Sequence, residues 1–234
     1  MEIKIGVAKT MKYAVSYSGD SVEFSERPHG GISVILADGQ GSGRAGRNTS
    51  SLVVNKAASL IADGTRDGAV ARAVHDYLYA VKNGQVSCTL TVFSADFETD
   101  TVVISRNSNC PAIVKTLDYT VVYDEEINPI GVHRRMKPLI YEVPLEYGMI
   151  LVSYSDGIQA AGRKRGKEFD FKRILKIIEE NTVDDTEFIA DSILEYALSL
   201  DDNRPGDDMT VVVMGVSNKE YTNEIRRVHI SFPY

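Results

Sequence analysis

The stretch Ile32-Ser-Val-Ile-Leu-Ala-Asp-Gly-Gln-Gly-Ser-Gly43 is where the fold of this chain is first legible. Its first six residues, Ile32–Ala37, are mostly apolar and β-branched and read as a buried strand. The run stops at Asp38, and a glycine-rich turn follows, Asp38-Gly39-Gln40-Gly41-Ser42-Gly43. Upstream, Ile3–Ala8 and Ser21–Glu26 are also strand-like. Downstream come two helices. Leu52, Val53, Ala57, Leu60 and Ile61 share one face of the first. Ala69, Val70, Ala73, Val74, Tyr77, Leu78 and Val81 recur at helical spacing in the second. Asp63-Gly64 and Asn83-Gly84 supply their stops.

Strands then dominate: Thr89–Phe97, Thr101–Arg106, Ala112–Leu117, Thr120–Tyr123, Leu139–Val143 and Met149–Ser153, with Glu98-Thr99-Asp100 turning the first hairpin. Helices return over Phe169–Glu180 and Thr186–Leu200. The second of these has Asp184 or Asp185 as its N-cap and an apolar stripe of Phe188, Ile189, Ile193, Tyr196, Ala197 and Leu200. A last buried strand covers Met209–Val216. Segregated runs of strands and helices point to α+β rather than alternating α/β. The expected fold is a four-layer α-β-β-α sandwich, two antiparallel sheets flanked by helix pairs. With no repeat and no Pro/Gly/Ser-rich linker, residues 1–234 read as a single domain. In the tail, 217–234, Val228, Ile230 and Phe232 alternate with polar residues and suggest an extra edge strand.

Bulk properties narrow the function. The chain has 234 residues, 43% hydrophobic and 25% charged, and a net charge of −7. An acidic balance argues against nucleic-acid binding, which needs a basic surface. No apolar run approaches the roughly 18 residues of a membrane span, and the N-terminus lacks a signal-peptide pattern. Cys88 and Cys110 match neither a zinc spacing nor a disulfide framework, and read as packing residues in a protein of the reducing cytoplasm. His29, His75, His133 and His229 show no ligand spacing.

Four clusters place a carboxylate where a strand begins or ends: Ser18-Gly19-Asp20-Ser21, Asp38-Gly39-Gln40-Gly41-Ser42-Gly43, Ser155-Asp156-Gly157-Ile158 and Asp207-Asp208-Met209-Thr210. Any one Asp-Gly pair is by itself an ordinary turn. Several acids abutting apolar strands are different, because burial of a carboxylate needs a reason. Strand ends of a sandwich gather at its rims, and converging carboxylates repel unless a cation neutralises them. Mg²⁺ or Mn²⁺ suits such all-oxygen ligands. Glycine beside the aspartate lets the backbone come close to a cation.

Taken in order, SGDS at 18–21, ADGQGSG at 37–43, SDGI at 155–158 and DDMTVVV at 207–213 resemble the PPM (PP2C-type) metal-dependent protein phosphatases, in their bacterial SpoIIE/RsbU/RsbX-like branch. The stretches at 89–114 and 128–132 resemble that branch's middle hairpin and the loop after it. The resemblance implies a serine/threonine phosphatase with two Mn²⁺ or Mg²⁺ ions per active site. It implies that Asp38 bridges both ions, that Asp156 and Asp207 complete the first site, and that Asp20 and the Gly39 carbonyl belong to the second. Asp208 is implied as an outer partner or a third-ion ligand. The implied substrate is a phosphorylated regulatory protein, of the anti-sigma antagonist or stressosome type.

Two departures stand out. Gln40 follows the Asp-Gly pair where the wider family often has histidine, and an amide is no general acid near neutral pH. Asn107-Ser108-Asn109-Cys110-Pro111 stands where the branch often reads N-A-G-H-P. Gln40, Arg44 and Arg47 are candidates for holding an anionic phosphopeptide, against the plainer reading of the arginines as a solvated helix face. Two rivals remain. A nucleotide-binding module would use GQGSGRAG, but no Gly-Lys-Ser/Thr follows and Asp38 would repel a phosphate. A catalytically silent phosphatase-like scaffold would normally have lost one of these acids, and none is lost.

Overall fold

The structure is a computed structural model that describes residues 1–218 and 226–231. One sheet has the order β1 (Glu2–Thr10), β10 (Met209–Ser217), β9 (Ile150–Tyr154), β6 (Ala112–Lys115), β7 (Thr120–Tyr123). The other runs β2 (Asp20–Glu26), β3 (Gly31–Gly39), β4 (Cys88–Asp96), β5 (Thr101–Asn107), β8 (Leu139–Pro144). Every pairing in both sheets is antiparallel. The expected four-layer α+β sandwich is the observed architecture.

Period-two alternation sorts each strand between two cores. On β3, Val34 and Leu36 face the opposite sheet; with Phe93 and Ile104 of their own sheet they share a core with Leu151, Val212 and Met214 of the other. Ile35 and Ala37 face helices α1 (Arg44–Ala62) and α2 (Asp67–Val81), against Val53, Ala57, Ile61, Val74 and Leu78. On β10, Val211 and Val213 face the other helix layer, α4 (Phe171–Glu179) and α5 (Thr186–Leu200), and pack with Ile174, Ile178, Ile189 and Ile193. Because both faces are covered, all nine residues of β10 are buried, which is why its sequence is a continuous apolar run. Each fully buried Val, Leu or Ile contributes about 1.5–3 kcal/mol.

Several helix details differ from expectation. The buried face of α2 is Val70, Ala71, Val74, His75 and Leu78, while Tyr77 and Val81 are 40% and 48% exposed. The helix lies on a single sheet face, so only one stripe can be covered, and the expected set spanned too wide an arc. Phe188 of α5 is exposed for the same reason. Asp185 sits at the N-cap of α5, but its carboxylate accepts from the Thr182 backbone N–H and hydroxyl instead of capping the helix. A short helix, α3 (Asp156–Ala160), follows β9 directly; at five residues it is too brief to show a period. In the tail, residues 226–231 form no strand, and Val228 and Ile230 are exposed there with no sheet edge to bury them. Phe232 lies outside the described residues.

Candidate active site

Sheet pairing delivers the acids to one rim. Asp20 opens β2 and Asp38 lies near the end of β3, and the two are direct cross-strand partners. Asp156 follows β9, and Asp207 and Asp208 precede β10, the neighbouring strand. The ends of β9 and β10 are locked together: Ser155 N–H donates to the Thr210 carbonyl at 2.9 Å, and Thr210 N–H donates to Ser155 Oγ at 2.9 Å. Thr210 Oγ1 then donates to Asp20 Oδ2 at 2.6 Å. One threonine therefore ties the rim of one sheet to the rim of the other, and the acids of both meet there.

Their electrostatics record the crowding. Burial pushes the Asp38 carboxyl up to about 9, reinforced by the charges of Asp20, Asp156, Asp207 and Asp208. Asp156 is itself raised, by burial and then by Asp207, against the lowering effect of its bond to Asp38 and the charge of Arg163. Asp20 is pushed up to about 6 by burial, opposed by hydrogen bonds from Thr210 and Ser155 and by the charge of Lys9. These groups cannot all ionise near neutral pH unless positive charge joins them.

Asp20 supplies a second observation that fits a cation: its Oδ1 is buried and has no hydrogen-bond partner. An orphaned carboxylate oxygen costs free energy, about 1–3 kcal/mol or more. The donor set of carboxylates with a nearby backbone carbonyl suits Mg²⁺ or Mn²⁺. Among the described residues, no three Asp, Glu, His or Cys side chains already close around a common point. The acids are gathered at one rim, where Asp156 and Asp207 keep solvent-facing side chains that would be open to a cation.

The other sequence candidates fall into distinct places. Asp208 is buried and already engaged: Oδ1 accepts from Lys12 N–H at 2.9 Å and Oδ2 from Gly19 N–H at 2.7 Å. It clamps both ends of the loop before Asp20. Gly39 serves packing more visibly than cation approach. A Cβ there would lie 2.2 Å from the Gly46 carbonyl oxygen and 2.9 Å from Ser50 N, so the glycine lets α1 dock on the end of β3. Gly157 does the same for α3, where a Cβ would stand 2.0 Å from the Asp208 carbonyl oxygen.

Gln40 is tied sideways, its Oε1 accepting from Ser87 N–H at 2.8 Å and Ser87 Oγ at 3.1 Å. Arg44 donates to Tyr17 Oη at 3.3 Å. Arg47 donates to the Asp20 carbonyl oxygen at 3.2 Å and to Ser21 Oγ at 3.3 Å, which puts it directly behind the acid cluster.

Sequence reasoning missed Ser155, Thr210 and Arg106. The first two belong to motifs whose acids alone drew notice. Arg106 is fully buried, an unusual state for arginine. It donates to the Ser108 carbonyl at 2.7 Å and the Glu125 carbonyl at 2.6 Å. These bonds fix the walls of a cleft of about 200 Å³ beside Asp156, lined also by Asn109, Ile127, Pro129 and Gln159. Cys110 also lines it, but burial pushes its thiol up to about 12, and Cys88 is raised as well, so neither is a thiolate nucleophile. A larger groove of about 770 Å³ lies between α4 and α5 and carries none of the clustered aspartates.

This sandwich with its rim of acids is the PP2C-type phosphatase architecture. The PP2C phosphatase domain, with a fragment of the regulatory domain, of SpoIIE from Bacillus subtilis superposes with a TM-score of 0.79 at 22% identity, over 92% of this chain and 64% of that one. RsbX in complex with magnesium superposes at 0.72 with 18% identity, over 92% of this chain and 96% of that one. The family model for stage II sporulation protein E (SpoIIE) matches residues 28–217, so the chain belongs to the SpoIIE family of PP2C-type serine/threonine phosphatase domains. Stage II sporulation protein E of Priestia megaterium is 25% identical over 211 residues, 90% of this chain and 36% of that protein. The chain spans 36% and 26% of the lengths of the two curated relatives it matches, the stage II sporulation proteins E of Priestia megaterium and Bacillus subtilis.

Proposed function

We propose that this chain hydrolyses phosphoserine or phosphothreonine on a bacterial regulatory protein, with two Mn²⁺ or Mg²⁺ ions held at the acidic rim. The observation that carries the reading is the gathering of carboxyls from both sheets at one rim, with Asp20 paired across the strands to Asp38 and tied by Thr210 to the end of β10, a group that cannot all ionise unaided. Asp38 would serve as the shared ligand of the two ions, Asp156 and Asp207 would complete one site, and Asp20 with the Gly39 carbonyl would belong to the other. Divalent cations, when bound there, supply charge for the phosphoryl oxygens and make water acidic enough to attack. The chain's own residues hold and orient. Thr210 and Ser155 fix Asp20, Asp208 fixes the loop that leads to it, and no side chain of the cleft serves as a covalent nucleophile. The products are inorganic phosphate and the free hydroxyl.

The magnesium complex of RsbX supports the choice of ion. The likeness to a protein of the bacterial stressosome favours a regulatory phosphoprotein as substrate; the proposed substrate is of the anti-sigma antagonist or stressosome type, and the proposed setting is the cytoplasm. Among the described residues no helix is long and apolar enough to cross a membrane. The test is phosphate release from a phosphoserine-bearing protein of this type. Release that requires Mn²⁺ and stops with EDTA is expected. Binding of the phosphoprotein without release, at saturating Mn²⁺, would point to the silent scaffold instead.

A further inference from the structure

The loop joining β1 to β2, residues 11–19, stands beside the acids and is anchored at three points. Asp208 accepts from Lys12 N–H and Gly19 N–H, and Tyr13 N–H donates to the Pro205 carbonyl at 2.9 Å. The anchored loop turns large side chains outward: Met11, Tyr13 and Tyr17 are 46%, 57% and 46% exposed. Each tyrosine carries an arginine. The Arg204 guanidinium carbon lies 5.4 Å from the Tyr13 ring centre, and that of Arg44 lies 5.3 Å from the ring of Tyr17.

Stacking occupies the face of a guanidinium; Arg44 donates one N–H to Tyr17 Oη, which leaves the other N–H edges of the two arginines for carboxylates or phosphates. Among the described residues, no carboxylate oxygen lies within 4 Å of Arg44, Arg47 or Arg204. Asp202 feels Arg204 at longer range but pairs with Lys167. In a chain of net charge −7, these rim arginines have no acid at ion-pair distance among the described residues. Their complement is an external anionic surface. Exposed tyrosines add rigid contact area for a peptide backbone at low entropic cost.

We propose that the Tyr13–Arg204 and Tyr17–Arg44 pairs form the docking rim for the polypeptide on either side of the phosphorylated residue, and that they select acidic flanking sequence. The proposal rests on the phosphatase reading for the position of the phosphate, and its binding arm below does not depend on turnover.

The test uses the full chain and three probes: a fluorescein-labelled phosphoserine peptide with Asp/Glu flanks, one with Lys flanks, and p-nitrophenyl phosphate. With Mn²⁺, kcat/KM should favour the acidic peptide by about fivefold or more, as expected for a few exposed ion pairs. The preference should shrink in about 0.5 M salt, roughly three times physiological ionic strength. The double variant Arg44→Glu with Arg204→Glu should reverse the preference, its loss on the acidic peptide exceeding its loss on p-nitrophenyl phosphate by a similar factor. Tyr13→Ala with Tyr17→Ala should weaken both peptides relative to the aryl phosphate. Equal rates on the two peptides, or a preference the arginine variant leaves unchanged, overturns the docking rim while the phosphatase reading stands. If nothing is hydrolysed, the phosphatase reading fails and fluorescence anisotropy decides the rim: arginine-dependent binding of the acidic peptide sustains it, and binding indifferent to the variant overturns it.

Discussion

Asp38 feels the charges of four other carboxyls at the rim, and burial together with that crowding pushes its own carboxyl up to about 9. Asp38→Asn keeps the volume and removes the repulsion. Its Mn²⁺-dependent activity should fall by about 10²-fold or more, the scale seen when one preorganised charge-stabilising group is lost. In EDTA the same variant should melt higher than wild type by about 2–4 °C for each kcal/mol of relieved repulsion. A variant that loses activity without gaining metal-free stability would mean that Asp38 is not strained by its neighbours. Asp208 makes the opposite prediction. Asp208→Ala leaves the N–H groups of Lys12 and Gly19 without their acceptor, at a cost of about 1–3 kcal/mol each if they stay buried. Its melting temperature should drop with or without Mn²⁺, and an unchanged melting curve would remove the clamp from the account.

At the scale of elements, the site depends on how closely α1 approaches β3. Gly39 and Gly46 face each other across that junction: a Cβ on Gly39 would meet the Gly46 carbonyl, and a Cβ on Gly46 would stand 2.9 Å from the Gly39 carbonyl oxygen. Both partners are backbone, so neither can swing aside. Gly39→Ala should cost about 1–3 kcal/mol or more through overpacking, and should also weaken Mn²⁺ affinity, because Asp38 moves with the strand end. Urea unfolding paired with a Mn²⁺ titration checks both effects. A loss of stability with unchanged Mn²⁺ affinity would separate the helix junction from the site.

At the scale of the molecule, Thr210 joins the two sheets at the acidic rim, and a cation bound there, as proposed, would hold the ends of both. Mn²⁺ should therefore raise the melting temperature and EDTA abolish the rise. At 100-fold excess over Kd, binding to the native state alone contributes about 2.7 kcal/mol, or roughly 5–11 °C for a chain of this size. A melting temperature indifferent to Mn²⁺ would argue against any cation site at the rim. The same experiment on the Asp20→Ala variant should show a smaller rise, since the orphaned Oδ1 is removed.

Local pattern was enough to place the strands, both long helix pairs and the acids at the strand ends, because alternation, helical period and glycine-marked stops are properties of neighbouring residues. It was enough as well for the sandwich, since helices and strands in segregated runs leave few ways to cover two antiparallel sheets. Which helix face is buried was not legible: Tyr77 and Phe188 sit at plausible periodic positions, and only docking on one sheet decides that they face outward. Likewise Asp207 and Asp208 are indistinguishable as adjacent acids. Tertiary contact makes one a solvent-facing carboxylate and the other a clamp whose two oxygens hold backbone N–H groups from the loop of residues 11–19. Asp20 and Asp38, eighteen positions apart, are made neighbours by strand register, and Thr210 joins them to the other sheet. Residue chemistry is written along the chain, but the partner that each polar group finds depends on which distant segments the packed sheets bring to the same rim.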